Sequence, residues 1–132
     1  MEYAFKDVTE KIIRAAMNVH NELGNGFQEM IYQRSLAIEF RLLGLSFAKE
    51  VSIPVFYKGE LVGERRVDFL VDGNIVVELK AVVLLDNVHL AQAKNYLEAF
   101  NLEIGLLINF GNTSLKWNRI YNNKYKPAKK QP

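Results

Sequence analysis

RVDFLVDGNIVVELKA, Arg66–Ala81, carries two apolar alternations about one turn signal. Val67, Phe69 and Val71 lead into Asp72-Gly73-Asn74, and Ile75, Val77 and Leu79 lead out. This is the pattern of two half-buried antiparallel strands joined by a short hairpin loop. Keeping the apolar side chains on one face sets Val71 opposite Ile75, Phe69 opposite Val77 and Val67 opposite Leu79. The other face then carries Arg66 opposite Lys80, Asp68 opposite Glu78 and Leu70 opposite Val76. Directly opposed carboxylates lie about 5 Å apart at Cβ and repel by roughly 3 kcal/mol at an effective dielectric near ~20, so positive charge is needed beside them. Two sources would serve. One is a divalent cation on Asp68 and Glu78, whose hard oxygen donors suit Mg²⁺ or Mn²⁺. The other is a diagonal lattice on a solvated face, Arg66 with Glu78 and Lys80 with Asp68. Taken alone, the hairpin favours the lattice, because D…E-x-K spacings arise often by chance.

A chain of 132 residues fits one domain, expected over residues 1–121, with a basic, flexible tail from 122 to 132. With 49% hydrophobic and 24% charged residues it has an ordinary globular composition. The absence of cysteine excludes zinc fingers and thiol nucleophiles and suits a reducing compartment. The N-terminus lacks a signal-peptide apolar region, and the longest apolar run, Ala81–Leu85, is too short to span a bilayer. A soluble, cytoplasmic protein with no membrane partner is expected. The net charge of +2 divides unevenly: all 15 acidic residues precede position 104, while Arg119, Lys124, Lys126, Lys129 and Lys130 crowd the end. Such a tail suits either contact with nucleic acid or a solubilising end.

Ahead of the hairpin, Asp7 is placed to cap a first helix that ends at Gly24-Asn25-Gly26. A second helix is expected over about residues 27–43. It has two apolar stripes, Phe27, Ile31, Ile38, Leu42 and Tyr32, Leu36, Phe40, Leu43, which predict burial on both sides. Glu29 lies in line with the second stripe, one turn before Tyr32. It either has a partner there or sits exposed in the first turn, where the helix dipole favours it. From Phe47 to Tyr57 the period is two, with Pro54 marking an edge or bulged strand, and residues 61–71 return from Lys58-Gly59. After the hairpin, Asp86 is placed to cap a third helix whose face includes His89, Gln92, Ala93, Tyr96 and Phe100. Residues 102–110 read as a strand covered on both faces, and 114–121 as a last strand in which Trp117 and Tyr121 are expected to pack. The order helix, helix, three strands, helix, strand, strand gives an α/β fold with a mixed sheet, the strand after the third helix running parallel to the one before it.

Four clusters fall in this order: Gly26-x-x-Glu29-x-x-Tyr32, Asp68, Glu78-x-Lys80 and Gln92-x-x-x-Tyr96. Together they resemble the PD-(D/E)XK nuclease superfamily, and the first cluster resembles the signature of its GxxExxY proteins. The resemblance covers roughly residues 8–121. It implies a restriction-endonuclease-like core of helix, three-strand antiparallel meander, helix and strand, here with an extra N-terminal helix and a last strand. It further implies that Asp68, Glu78 and the Leu79 backbone carbonyl hold Mg²⁺ or Mn²⁺, with Glu29 near the metal. Lys80 would orient or deprotonate the attacking water, while Gln92 and Tyr96, as in the RecB-like branch, would brace the site and contact substrate. Tyr32 and Arg66 are further candidates for site support. Asp68 follows Val67 where the superfamily's name has proline.

The expected function is metal-dependent phosphodiester hydrolysis in nucleic acid, DNA first. The alternatives are a catalytically silent module binding nucleic acid or a protein partner, and a structural protein in which the charged face is only the ion-pair lattice. The oligomeric state is left open, a homodimer included.

Overall fold

The computed structural model describes residues 5–127. Two helices come first, α1 (Lys6–Leu23) and α2 (Glu29–Leu42). The meander follows as β1 (Phe47–Tyr57), β2 (Glu60–Val71) and β3 (Ile75–Lys80), then α3 (Asn87–Phe100), β4 (Ile104–Asn109) and β5 (Lys116–Tyr121). The five strands form one sheet in sequence order, parallel only between β3 and β4. That one parallel pair is where α3 makes the crossover, because a parallel return needs a connection long enough to carry a helix. The α/β architecture with a restriction-endonuclease-like core is the one expected.

Apolar alternation explains the layers. Phe69, Val71, Ile75, Val77, Leu79, Ile104, Leu106 and Ile108 face α1 and α2, meeting Ile12, Ala16, Leu36 and Phe40. Val76, Leu107 and Ile120 face the opposite way, against Ala93, Tyr96 and Leu97 of α3. β4 is buried at every position because both faces are covered. β1 is one of the two edge strands, and its bulge falls between Val55 and Phe56, beside Pro54. In the hairpin Asp72 and Gly73 take positive φ of 54° and 67°, and the Asn74 amide donates to the Val71 carbonyl at 3.0 Å. This closes the turn the sequence signals.

Three local expectations change. Asp7 lies inside the first turn of α1, whose N-cap is Phe5 with no side-chain cap. α2 buries one stripe rather than two: Phe27, Ile31, Ile38 and Leu42 remain 39–75% exposed. The sheet covers one flank of α2 and α1 a second. Trp117 packs against the core as expected, whereas Tyr121, at the end of edge strand β5, is 46% exposed. Of the tail, residues 128–132 lie outside the described residues. Residues 122–127 are tied to the end of α3, where buried Asn122 donates to the Leu97 and Leu102 carbonyls and Asn101 exchanges two hydrogen bonds with the Lys126 backbone.

Candidate functional site

The site begins where the sheet comes apart. The β2–β3 ladder pairs Val71 with Ile75, Leu70 with Val76 and Phe69 with Val77, in the register the apolar pattern sets, and stops there. The expected pairs beyond it do not form. On the other side of β2, Lys49 pairs with Phe69 and Val51 with Val67, but Glu50 and Asp68 between them are unpaired. Glu50 has φ of 53°, a left-handed conformation that costs a non-glycine residue about 1 kcal/mol or more. Val67 accordingly joins the α3 layer while Phe69 faces α1 and α2. A regular strand would have put both on one side.

Side chains fill the opened ladder. The Asp68 amide donates to Glu78 Oε1 at 2.9 Å, and the Leu79 amide donates to Asp68 Oδ2 at 2.8 Å. Each carboxylate thus takes a backbone donor that the pleated ladder would have used. Asp68 Oδ1 accepts a third bond, 2.8 Å, from Gln33 Nε2 on α2. Gln33 is buried, four residues after Glu29 and in line with Leu36 and Phe40. The sequence reading passed over it, although a glutamine on the buried stripe is itself a sign of a polar partner inside.

Burial and like charge act together here. Burial, then the Asp68 charge, pushes the Glu78 carboxyl up to about 8, against the Asp68 amide and Lys80. Asp68 is also raised by burial, against its bonds from Leu79 and Gln33 and the Lys80 charge. Glu29, the first residue of α2, is raised by partial burial and by Asp68, and lowered by Lys80 and His89. Lys80 therefore acts on all three carboxylates. Yet among the described residues no ion pair joins Lys80 or Arg66 to any of them, so the diagonal lattice does not form.

The remaining candidates divide by role. Tyr32 is fully buried: its hydroxyl donates to the Gly24 carbonyl at 2.6 Å and accepts from the Phe27 amide at 3.2 Å, and its ring stacks on Phe110 at 4.5 Å. It clamps the loop that delivers Glu29 rather than touching the carboxylates. Tyr96 is buried on α3, and its hydroxyl is raised by burial and then by the Glu78 charge. Gln92 is half-buried one turn earlier on that helix. His89 is taken up in the cap of α3, where Asp86 accepts from the Val88 and His89 amides and His89 Nδ1 accepts from the Asp86 amide. Arg66 is exposed. Behind Lys80, buried Asn109 accepts from the Val82 and Gly111 amides and donates to the Val82 carbonyl, fixing the chain as it leaves β3.

A family model described as the PD-(D/E)XK nuclease superfamily matches residues 6–120. The chain belongs to that superfamily. Among solved structures it is similar to one titled "Crystal structure of SSO0001", at 19% identity and a TM-score of 0.51, over 87% of this chain. The match spans 65% of that structure's chain, and the likeness supports the fold alone. No curated protein matches the chain at a significant level.

The donor chemistry suits a cation of the Mg²⁺ class, which takes one or two carboxylates and keeps several waters. Asp68 and Glu78 would be the pair to offer them, since Asp68 Oδ1 and Oδ2 and Glu78 Oε1 each accept one hydrogen bond from an amide and keep a further lone pair. Among the described residues no three histidine, cysteine, aspartate or glutamate side chains are gathered as a metal-ligand group.

Proposed function

We propose that this chain binds nucleic acid on its nuclease scaffold, and that the opened ladder around Asp68 is the point that meets the phosphodiester backbone. The observation that carries the reading is Lys80: a half-buried ammonium beside three carboxylates, paired with none, and so available to a phosphate oxygen. That Asp68 uses both oxygens and Glu78 one on protein donors supports a binding module over a ready-made metal cage. The Gly26, Glu29 and Tyr32 cluster further suggests the GxxExxY group within the superfamily.

Hydrolysis is the second reading, favoured by the opposed carboxylates themselves. A divalent cation on Asp68, Glu78 and the Leu79 carbonyl would supply a Lewis acid on the phosphate oxygen and lower the pKa of a water. Around it, Glu78 must give up its proton, Lys80 would orient the water and meet charge developing on the phosphate, and Gln33 would keep Asp68 in place. The two readings separate in one experiment. Labelled oligonucleotides, DNA and RNA, are followed for binding and for cleavage with Mg²⁺, Mn²⁺ or chelator, for the native chain, Glu78→Ala and Lys80→Ala. Salt-sensitive binding weakened by Lys80→Ala, with no cleavage, supports the module. Metal-dependent cleavage abolished by both substitutions establishes the nuclease. Absence of any binding rejects both.

A further inference from the structure

A second feature lies beside the carboxylates, on the α3 side of the sheet. A cleft of about 390 Å³ opens between the long β1–β2 arm and α3, lined among others by Ile53, Val55, Phe56, Arg65, Asn95 and Tyr96. That volume is in the range of small-ligand sites, ~300–1,000 Å³, and far below what a duplex needs. The register explains how it forms. Ile53 pairs with Arg65 and Val55 with Gly63, so the arm puts two apolar side chains and one guanidinium towards α3 and nothing at position 63. A Cβ at Gly63 would meet no atom within 4 Å. Phe56, just past the bulge, is 59% exposed.

The chemistry of the lining narrows the occupant. Arg65 lies over the Tyr96 ring, 5.1 Å from its centroid, and among the described residues no carboxylate forms an ion pair with it. No acidic residue lines the cleft. A half-buried guanidinium with no carboxylate partner, held over an aromatic ring and hydrogen-bonded to its hydroxyl, keeps donors free to receive an anion. Beside it the apolar side chains offer a surface for a flat ring, and the Asn95 amide can both donate to and accept from a ring edge. A nucleotide with its base unstacked carries an anion and a flat heteroaromatic ring together, and it is the ligand of that kind that the nucleic-acid reading supplies. Tyr96 joins the two features, its ring under Arg65 and its hydroxyl within the field of Glu78.

We propose that the cleft between the β1–β2 arm and α3 holds one unstacked nucleotide of a single-stranded segment, its phosphate on Arg65 and its base against Phe56, next to the nucleotide at Asp68 and Lys80. The inference rests on the nucleic-acid reading above and narrows it to single strands or unpaired ends, because a paired base cannot enter. Arg65 supplies the charge, and the apolar walls give sequence-tolerant base contact.

The test is anisotropy of a labelled single-stranded oligonucleotide of roughly a dozen nucleotides, the span one small binding groove covers. The native chain is compared with Arg65→Ala, Phe56→Ala and Ala99→Trp, the last filling the cleft from an exposed position on α3. Each variant is expected to bind roughly five- to a hundredfold more weakly, the loss of one stacked or phosphate-bonded nucleotide. Arg65→Ala should also lower the salt slope by about one counterion. The emission of 2-aminopurine placed in the strand should change on binding to the native chain and not to Ala99→Trp. Far-UV circular dichroism checks that the variants fold. Binding within about twofold of native in all three overturns the cleft and leaves the Lys80 reading standing, as does equal affinity for a duplex of the same sequence. A native chain that binds no oligonucleotide overturns both.

Discussion

Glu78 holds its proton through neutrality because burial and the Asp68 charge lift it from an ordinary 4.5 to about 8. The sign of the consequence follows from proton counting. Between those values the folded chain binds a proton that the unfolded chain has released, so stability is greatest at the acid end and falls as the pH rises towards 8. Asp68 is raised in the same sense by burial. Glu78→Gln keeps the shape and an acceptor for the Asp68 amide while removing the charge. Melting followed from about pH 5 to about pH 9 should show a falling Tm in the native chain and a flatter, higher curve in the variant. An ion-pair lattice would give the opposite result, a loss on Glu78→Gln. Gln33 is the neighbouring test. Gln33→Ala removes the bond to Asp68 Oδ1 and should cost about 1.5–3 kcal/mol in urea unfolding, the range for a hydrogen bond to a charged group. Asp68, Glu78 and Lys80 were legible as a charged set because strand alternation puts them together. Gln33 was not, because its partner is 35 residues away and only the packing of α2 on the sheet brings them together.

At the scale of elements, the site depends on two connections that hold backbone to backbone. Tyr32 ties the α1–α2 loop through the Gly24 carbonyl and the Phe27 amide. Tyr32→Phe keeps the stack on Phe110 but loses both bonds, and should lower stability by about 1–2 kcal/mol with the fold intact. The second connection is the crossing of Gly111 over the chain after β3. A Cβ at Gly111 would overlap the backbone nitrogen and oxygen of Val82, atoms that cannot turn aside as a side chain does. Gly111→Ala should therefore cost more than about 2 kcal/mol in urea unfolding and displace the segment that Asn109 holds behind Lys80. Element types and order were legible from period and punctuation: the hairpin turn, the Asp86 cap and the buried β4 all follow from local sequence. What failed was burial on α2. Its second apolar stripe looks like core in sequence, and whether a helix flank is covered depends on what lies beside it in space.

For the whole molecule, the register of β2 and β3 was legible for three pairs and then ended, because the ladder opens at Asp68 for a reason no periodicity carries. A continuous hairpin would bury two opposed carboxylates in direct contact. The fold instead spends two ladder positions and a strained Glu50 to give each carboxylate a backbone donor. That arrangement suits one protonated and one charged carboxyl, and it couples any cation to pH. Binding between Asp68 and Glu78 requires the Glu78 proton to leave, so affinity should rise as the pH approaches about 8. Thermal melts with and without millimolar Mn²⁺ read this directly, since a ligand of the folded state raises Tm according to its occupancy. The Mn²⁺-induced rise should be small near pH 6 and grow towards about pH 8.5, and it should vanish in Glu78→Gln, which cannot ionise. A rise of equal size at both ends of that range would mean that Mn²⁺ binds elsewhere. No rise at any pH would mean that the opened ladder serves binding through Lys80 alone.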